Sequence, residues 1–320
     1  MTTRFPHLDA AESIFFQRQL ESIDPRVYEV QFAGLKARQL LPSVDGVSEV
    51  DNVYTYRMYK TTGEAKIIAD DADDLPDVNA FGEEKSSLIK TVGDKFQYGL
   101  QEIRAAAAKN APLSTMGMVA ARRAIEEKID SMLAFGVDGT LGFINSSTAV
   151  GGPVNSTTFV VSPKSGVDTW LDSGAAHATG AEMVNDCNAL IAETWAALKA
   201  APGLGGPLTL VLPTPEYAYM ANTPMGTGDG GLTALKFLLN NNPFLAGVEF
   251  WDKLSGAGLS TANRMICYLK DPMVLGAVVP MEFQPQAPQL TGLRYQIPCI
   301  ARCGGTVFRY PVACRYGDGI

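Results

Sequence analysis

One stretch of this chain cannot bury itself, and that limits the folds open to it. In VDNVYTYRMYKTTGEAKII the side chains alternate: Val53, Thr55, Arg57 and Tyr59 fall on one side, Tyr54, Tyr56, Met58 and Lys60 on the other. Alternation with period two is the mark of a strand with two unlike faces. The TTG inside it predicts a turn, and Glu64 to Ala69 a second strand. The chain then enters ADDADDLPDV, where five aspartates (Asp70, Asp71, Asp73, Asp74 and Asp77) fall within eight residues. A two-stranded ribbon is marginal alone in water, and its acid-rich continuation ADDADDLPDVNAFGEEK supplies no core. Residues 46–92 therefore read as a hairpin that projects and needs a neighbour.

The acid run invites a metal reading, which its spacing does not support. An EF-hand loop needs glycine at its sixth position and glutamate at its twelfth. Counted from Asp71, those places hold Pro76 and Gly82. A solvated or partner-facing surface is the better reading, with looser Ca²⁺ binding as the alternative.

The rest of the chain must supply the core. At 320 residues there is room for two domains or one elaborated domain. The composition, 46% hydrophobic and 19% charged, is that of a globular protein. A formal charge of −8 and the lack of a basic run argue against tight, direct DNA binding. No apolar run reaches the ~18 residues of a membrane span. The start, MTTRFPHLDAAES, lacks a signal-peptide pattern, so the expected site of synthesis and use is cytoplasm.

Residues 1–45 read as an arm: a short helix in AAESIFFQRQLESID, with Phe15, Phe16 and Leu20 on one side, then an extended run through Arg26 and Tyr28. FQYGLQEIRAAAAKN predicts a helix, and Thr115 to Phe135 a second, longer one. In the longer helix Met118, Ala121, Ile125, Ile129 and Met132 step by three and four, giving one buried stripe, and Gly136 ends it. Residues 150–285 alternate helix and strand, and the terminal LRYQIPCIARCGGTVFRYPVACRYGDGI reads as β. The fold class is α+β.

Candidate chemistry is sparse. GTGDGG matches G-x-G-x-x-G through Gly226, Gly228 and Gly231. TPEYAYMANTPM separates it from the nearest strand, so a loop tip is the better reading than a dinucleotide fingerprint. The only histidines are His7 and His177. A serine hydrolase using His177 is conceivable, but no G-x-S-x-G elbow is present. Cys187, Cys267, Cys299, Cys303 and Cys314 read as packed thiols, because no second pair completes a zinc site. No catalytic residue, metal site or cofactor is expected.

The order of parts (arm, projecting hairpin, long helix, α/β region, terminal strands) suits a subunit completed by its neighbours. Four stretches carry a resemblance: FFQRQLESIDPRVYEV (15–30), YRMYKTTGEAKIIADDADDLPDV (56–78), QEIRAAAAKNAPLSTMGMVAARRAIEEKI (101–129) and FGVDGTLGFIN (135–145). Together they resemble the HK97-fold major capsid proteins of tailed bacteriophages and prophages, a family once known only as a domain of unknown function.

The resemblance implies an HK97-like capsid fold. Residues 1–45 would be the N-arm, with Phe15, Phe16, Arg26 and Tyr28 in subunit contacts, and 46–92 the E-loop. Residues 93–150 would be P-domain, with spine helix 115–135 around a core of Met118, Ile125, Ile129 and Met132. Residues 151–285 would be A-domain, with Gly226, Gly228 and Gly231 in a loop near a symmetry axis, and 286–320 the terminal P-domain strands. Tyr59, Lys60, Lys66, Asp70, Asp71, Asp73, Asp74 and Asp77 would meet an adjacent subunit. The implied function is a structural one: hexamers and pentamers forming a head around double-stranded DNA. The implied partners are the chain itself, with portal, scaffolding and decoration proteins, and no membrane. The virion would be its destination and the host cytoplasm its place of assembly. Some members crosslink through an E-loop lysine; Lys60 and Lys66 lie in the right region, but the other reacting positions have no match here. An encapsulin-like nanocompartment shell and a Ser/His hydrolase are the alternatives.

Overall fold

The computed structural model describes residues 34–63, 77–109, 113–158, 169–171, 177–199, 204–226 and 231–320. The elements run α1 (Ala37–Leu40), β1 (Val53–Thr62), β2 (Asn79–Leu88), β3 (Lys90–Gly99), α2 (Leu100–Lys109), α3 (Leu113–Phe135), β4 (Asn155–Thr158), α4 (Gly180–Lys199), β5 (Leu208–Leu212), α5 (Thr214–Asn222), α6 (Ala234–Asn241), β6 (Leu245–Phe250), β7 (Arg264–Leu269), β8 (Leu275–Val278), β9 (Met281–Pro285), β10 (Gln289–Thr291), β11 (Arg294–Cys303), β12 (Gly305–Phe308) and β13 (Cys314–Asp318). Among the described residues no helix is long and apolar enough to cross a membrane.

Two sheets carry the architecture. One is five-stranded, in the order β4-β13-β7-β5-β6. Its central strands, LTLVL in β5 and RMICYL in β7, are buried along their whole length, as continuous apolar runs are when both faces are covered. In the other sheet β11 is the hub. It pairs antiparallel with β3 from Arg294↔Gly99 to Cys303↔Lys90, and its second edge takes β10 and then β9. A β12–β8 ribbon and the β1–β2 ribbon stand apart from these sheets.

The helices form where sequence and packing agree. In α4 a capping box opens the first turn: the Thr179 N–H donates to Glu182 Oε2 at 2.8 Å, and the Glu182 N–H donates to Thr179 Oγ1 at 3.4 Å. Its face of Met183, Val184, Cys187, Leu190, Ile191 and Leu198 is buried. In α3, Ala121, Ile125, Ile129 and Met132 are buried. The helix stops at Gly136, which sits at φ 73°; a Cβ there would meet Thr140 O at 2.6 Å. At ~1.5 Å per residue α3 is roughly 35 Å long.

Several expectations need correction. The strand paired with β1 is β2, in unbroken register from Val53↔Leu88 to Thr62↔Asn79. The partner expected after TTG, Glu64 to Ala69, lies outside the described residues. Pairing across the intervening acid run costs little more than pairing across a tight turn, because loop-closure entropy grows only logarithmically with length. Phe96 to Gly99 belong to β3, and the helix begins at Leu100; Phe96 and Tyr98 pack edge to face on the strand. Met118 is 41% exposed and does not join the core. At this end of the helix it is Gly117 that faces β3, against Phe96 and Tyr98, so the stripe has turned away from Met118. The boundary drawn at 45 is late, since Ala37, Leu40 and Leu41 are core residues. The boundary drawn at 285 is crossed: β13 lies between β4 and β7, inside the sheet assigned to 151–285.

One buried ion pair fixes that last strand. Arg264 Nε and Nη2 donate to Asp318 Oδ1 and Oδ2 at 2.5 and 2.8 Å, and Nη1 donates to Ile144 O at 2.5 Å. The guanidinium also lies over the Tyr316 ring, 4.5 Å from its centroid. Such a pair, bidentate and stacked, ties β7, β13 and the segment after α3 together.

Candidate subunit-contact surface

The β1–β2 ribbon has two different ends. Each strand has ten residues, so the ribbon is roughly 33 Å long at ~3.3 Å per residue. Its faces differ, as the alternation requires: Tyr54, Tyr56 and Met58 are half-buried, while Val53, Thr55, Arg57 and Tyr59 are exposed. On β2 the residues facing the first set are Ser87, Lys85 and Glu83. On the other face Arg57 and Glu84 stand directly opposite and pair at 2.6 Å.

The base is bolted to the body. Tyr56 Oη donates to Phe308 O at 2.8 Å, and Ser87 Oγ donates to Gly304 O at 2.9 Å. Arg309 Nη2 donates to Tyr54 Oη at 2.7 Å. Arg302 Nη2 donates to Asn52 Oδ1 at 2.6 Å, and its Nη1 donates to Glu49 O. A small cluster of Ile89, Val278 and Val307, flanked by Val44, Val47, Tyr54 and Tyr56, fills the space beneath. Burial raises the Tyr56 phenol above its ordinary range, with Arg309 pulling the other way.

The far end carries apolar side chains into solvent. Tyr59 is 74% exposed, Val78 73% and Phe81 60%. Tyr59 lies across Gly82, where a Cβ would be 3.5 Å from the ring. Lys60 stands opposite Phe81, and Asp77 is exposed beside Val78. Lys66, Asp70, Asp71, Asp73 and Asp74 lie outside the described residues, as do Phe15, Phe16, Arg26 and Tyr28.

Other sites read from sequence sit elsewhere. Ile125, Ile129 and Met132 are core residues of α3. Gly226 is exposed and Gly231 sits at φ 81°; Gly228 lies outside the described residues. The Met225 N–H donates to Leu232 O at 3.0 Å and closes this loop at its base. His177 is exposed and packs edge to face on Tyr219, with centroids 5.6 Å apart. All five cysteines are buried free thiols, and burial pushes each thiol up, Cys267 to about 12 and Cys303 to about 11. Among the described residues no group of three metal-binding side chains gathers.

The sequence pattern did not show the bolts at the ribbon's base. Arg302 and Arg309 are about 250 residues from Asn52 and Tyr54.

The described residues thus form a body of two sheets and a long helix, with a fastened ribbon whose apolar tip is exposed. Comparison with known proteins identifies the kind of protein. Residues 63–320 match the family model of the major capsid protein, and the chain belongs to that family. Its fold is the HK97-like capsid fold, and its role is structural, in a capsid shell. The capsid of Myoviridae phage XM1 superposes with a TM-score of 0.79 at 19% identity, covering 97% of this chain and 100% of that one. Mycobacterium phage Bobi gives a TM-score of 0.60 at 14% identity, covering 93% and 94%. A virus-like particle from Pyrococcus furiosus gives 0.52 at 14%, covering 88% and 91%. No curated protein matches the sequence.

Proposed function

We propose that the chain self-assembles as hexamers and pentamers into a phage head enclosing double-stranded DNA. The observation that carries this reading is the ribbon: anchored at its base, and apolar and uncovered at Tyr59, Val78 and Phe81. In this reading residues 1–45 act as the N-arm, the ribbon as the E-loop over an adjacent subunit, and α3 as the spine helix. Residues 151–285 act as the A-domain and meet their copies around symmetry axes, with the Gly226–Gly231 loop near them. Portal, scaffolding and decoration proteins complete the head, which assembles in the host cytoplasm. With net charge −8, DNA is held by confinement and counterions.

The acid run then has a role. Spread over a contact, charges set register and steer pairing more than they add affinity. They also discourage the ribbon from pairing edge to edge in the free subunit. Exchanging Asp73 and Asp74 for lysine is expected to impair assembly while leaving subunit folding intact; normal shells from that variant would count against the role.

Size-exclusion chromatography followed by negative-stain microscopy tests the whole reading. Closed shells, or isolated pentamers and hexamers, are expected. A monomer at every concentration and salt, with the scaffold supplied, overturns it. Shells purified with an enzyme inside instead of DNA would move the chain to the nanocompartment class.

A further inference from the structure

Residues 251–263 lead from the end of β6 to the start of β7 as an irregular strap. The near end is fastened. Trp251 is buried against Phe143, with ring centroids 6.3 Å apart, and Lys253 Nζ donates to the buried Asp130 of α3 at 2.5 Å. Beyond the far end, Arg264 is locked to Asp318. Between them the exposed tip is strained: Ser260 sits at φ 57° and Thr261 at φ 62°. Two successive left-handed residues without glycine, one of them β-branched, persist only where the surroundings impose them.

The tip is closed by the Gly258 N–H donating to Ala262 O at 2.8 Å, and Asn263 ties the strap below it. Its Oδ1 accepts from the Gly256 N–H at 2.8 Å, and its backbone oxygen accepts from the Gly319 N–H at 3.1 Å. Its Nδ2 donates to Glu216 Oε1 at 2.5 Å. Glu216 stands in the first turn of α5 and is 1% exposed. Its second oxygen, Oε2, is buried with no hydrogen-bond partner among the described residues.

Among the described residues this acid forms no ion pair. Helix α5 packs against α6 and the 252–254 turn of the strap, and its Tyr219 and Tyr217 meet His177 and Phe250 of β6. On those elements Lys236, Asp252, Glu249 and His177 are exposed, and Lys253 is committed to Asp130. Arg264, at the strap's end, is committed to Asp318. Burial raises Glu216 above the ordinary carboxylate range, while its own backbone N–H and Asn263 pull it down. An ionised carboxylate with an orphaned oxygen in such a place is relieved only by water. The strap reaches this carboxylate through Asn263 on its other oxygen.

We propose that Glu216 is a protonation latch on the 251–263 strap: protonated, it lets Asn263 hold the left-handed tip closed; ionised, it loosens that tip. The sign follows from the raised folded-state value. The closed strap is fully stabilised below the ordinary glutamate value of about 4.5 and loses that stability as pH rises through the higher folded-state value.

Hydrogen exchange on the full-length, unassembled chain tests this, with strap amides referenced to those of β5. Protection of residues 255–263 is expected to fall several-fold as pH rises from 5 to 8 (roughly, the window above the unperturbed carboxylate value), after correction for intrinsic rates. In Glu216→Gln, which keeps the acceptor for Asn263 and removes the charge, protection is expected to be flat. The same pH dependence in wild type and Glu216→Gln overturns the latch. Should that variant fail to fold, Asn263→Ala serves instead. Its strap should be open at every pH, and a pH dependence that survives there overturns the proposal equally.

Discussion

At the scale of single residues, the most consequential contact is Arg264 with Asp318, both nearly free of solvent. Removing one partner of a buried pair strands the other charge, at a cost of about 3–5 kcal/mol. Asp318→Ala is therefore expected to lower the free energy of unfolding by about that much, read from urea denaturation. Arg264→Met combined with Asp318→Leu should cost less than either single change, because neither charge is then left alone. The cysteines give a second residue-scale expectation. The thiolate is the reactive form, and burial pushes Cys267 up to about 12 and Cys303 to about 11. With the other three also raised and buried, a thiol reagent at pH 8 should label almost nothing in the native chain and all five positions in denaturant. A thiol that reacts at once in the native protein would contradict the burial described.

At the scale of elements, the ribbon separates folding from assembly. Its tip residues touch little within the chain, so Tyr59→Ser with Phe81→Ser is expected to change subunit stability by no more than about 0.5 kcal/mol. Assembled particles should nonetheless fall steeply, measured by sedimentation beside a thermal melt. The base behaves oppositely. Arg302→Ala removes the bonds to Asn52 and Glu49, and faster hydrogen exchange is expected across β1 and β2 while β5 is unchanged. These two ends also mark what the sequence could reveal. The two-faced character of β1 was legible, because alternation is local. Its partner was not, since β2 follows beyond a long acid run and register is set by pairing across that gap. The stripe of α3 was legible from Ala121 to Met132 and misled at Met118, because near that end it is Gly117, with no side chain to signal burial, that meets β3. Arg302 and Arg309 were illegible as anchors, since nothing local distinguishes an arginine that reaches a backbone oxygen 250 residues away from one that reaches water.

At the scale of the whole molecule, two electrostatic effects oppose each other. Every subunit carries −8, and repulsion grows with the product of the charges brought together. Favourable pairs across an exposed contact are worth only about 0–1 kcal/mol each. General repulsion should dominate, so raising salt from about 0.05 to 0.5 M, which shortens the screening length to a few ångströms, is expected to promote association, followed by light scattering. The lysine exchange at Asp73 and Asp74 then becomes decisive, because it halves the formal charge of −8. If the acid run contributed only to net repulsion, that variant would assemble more readily than wild type and need less salt. If the run sets register against a neighbour, the variant assembles worse despite its lower charge, and added salt fails to rescue it. The second outcome is the one expected; the first would leave the tip residues Tyr59, Val78 and Phe81 as the ribbon's sole contribution to the shell.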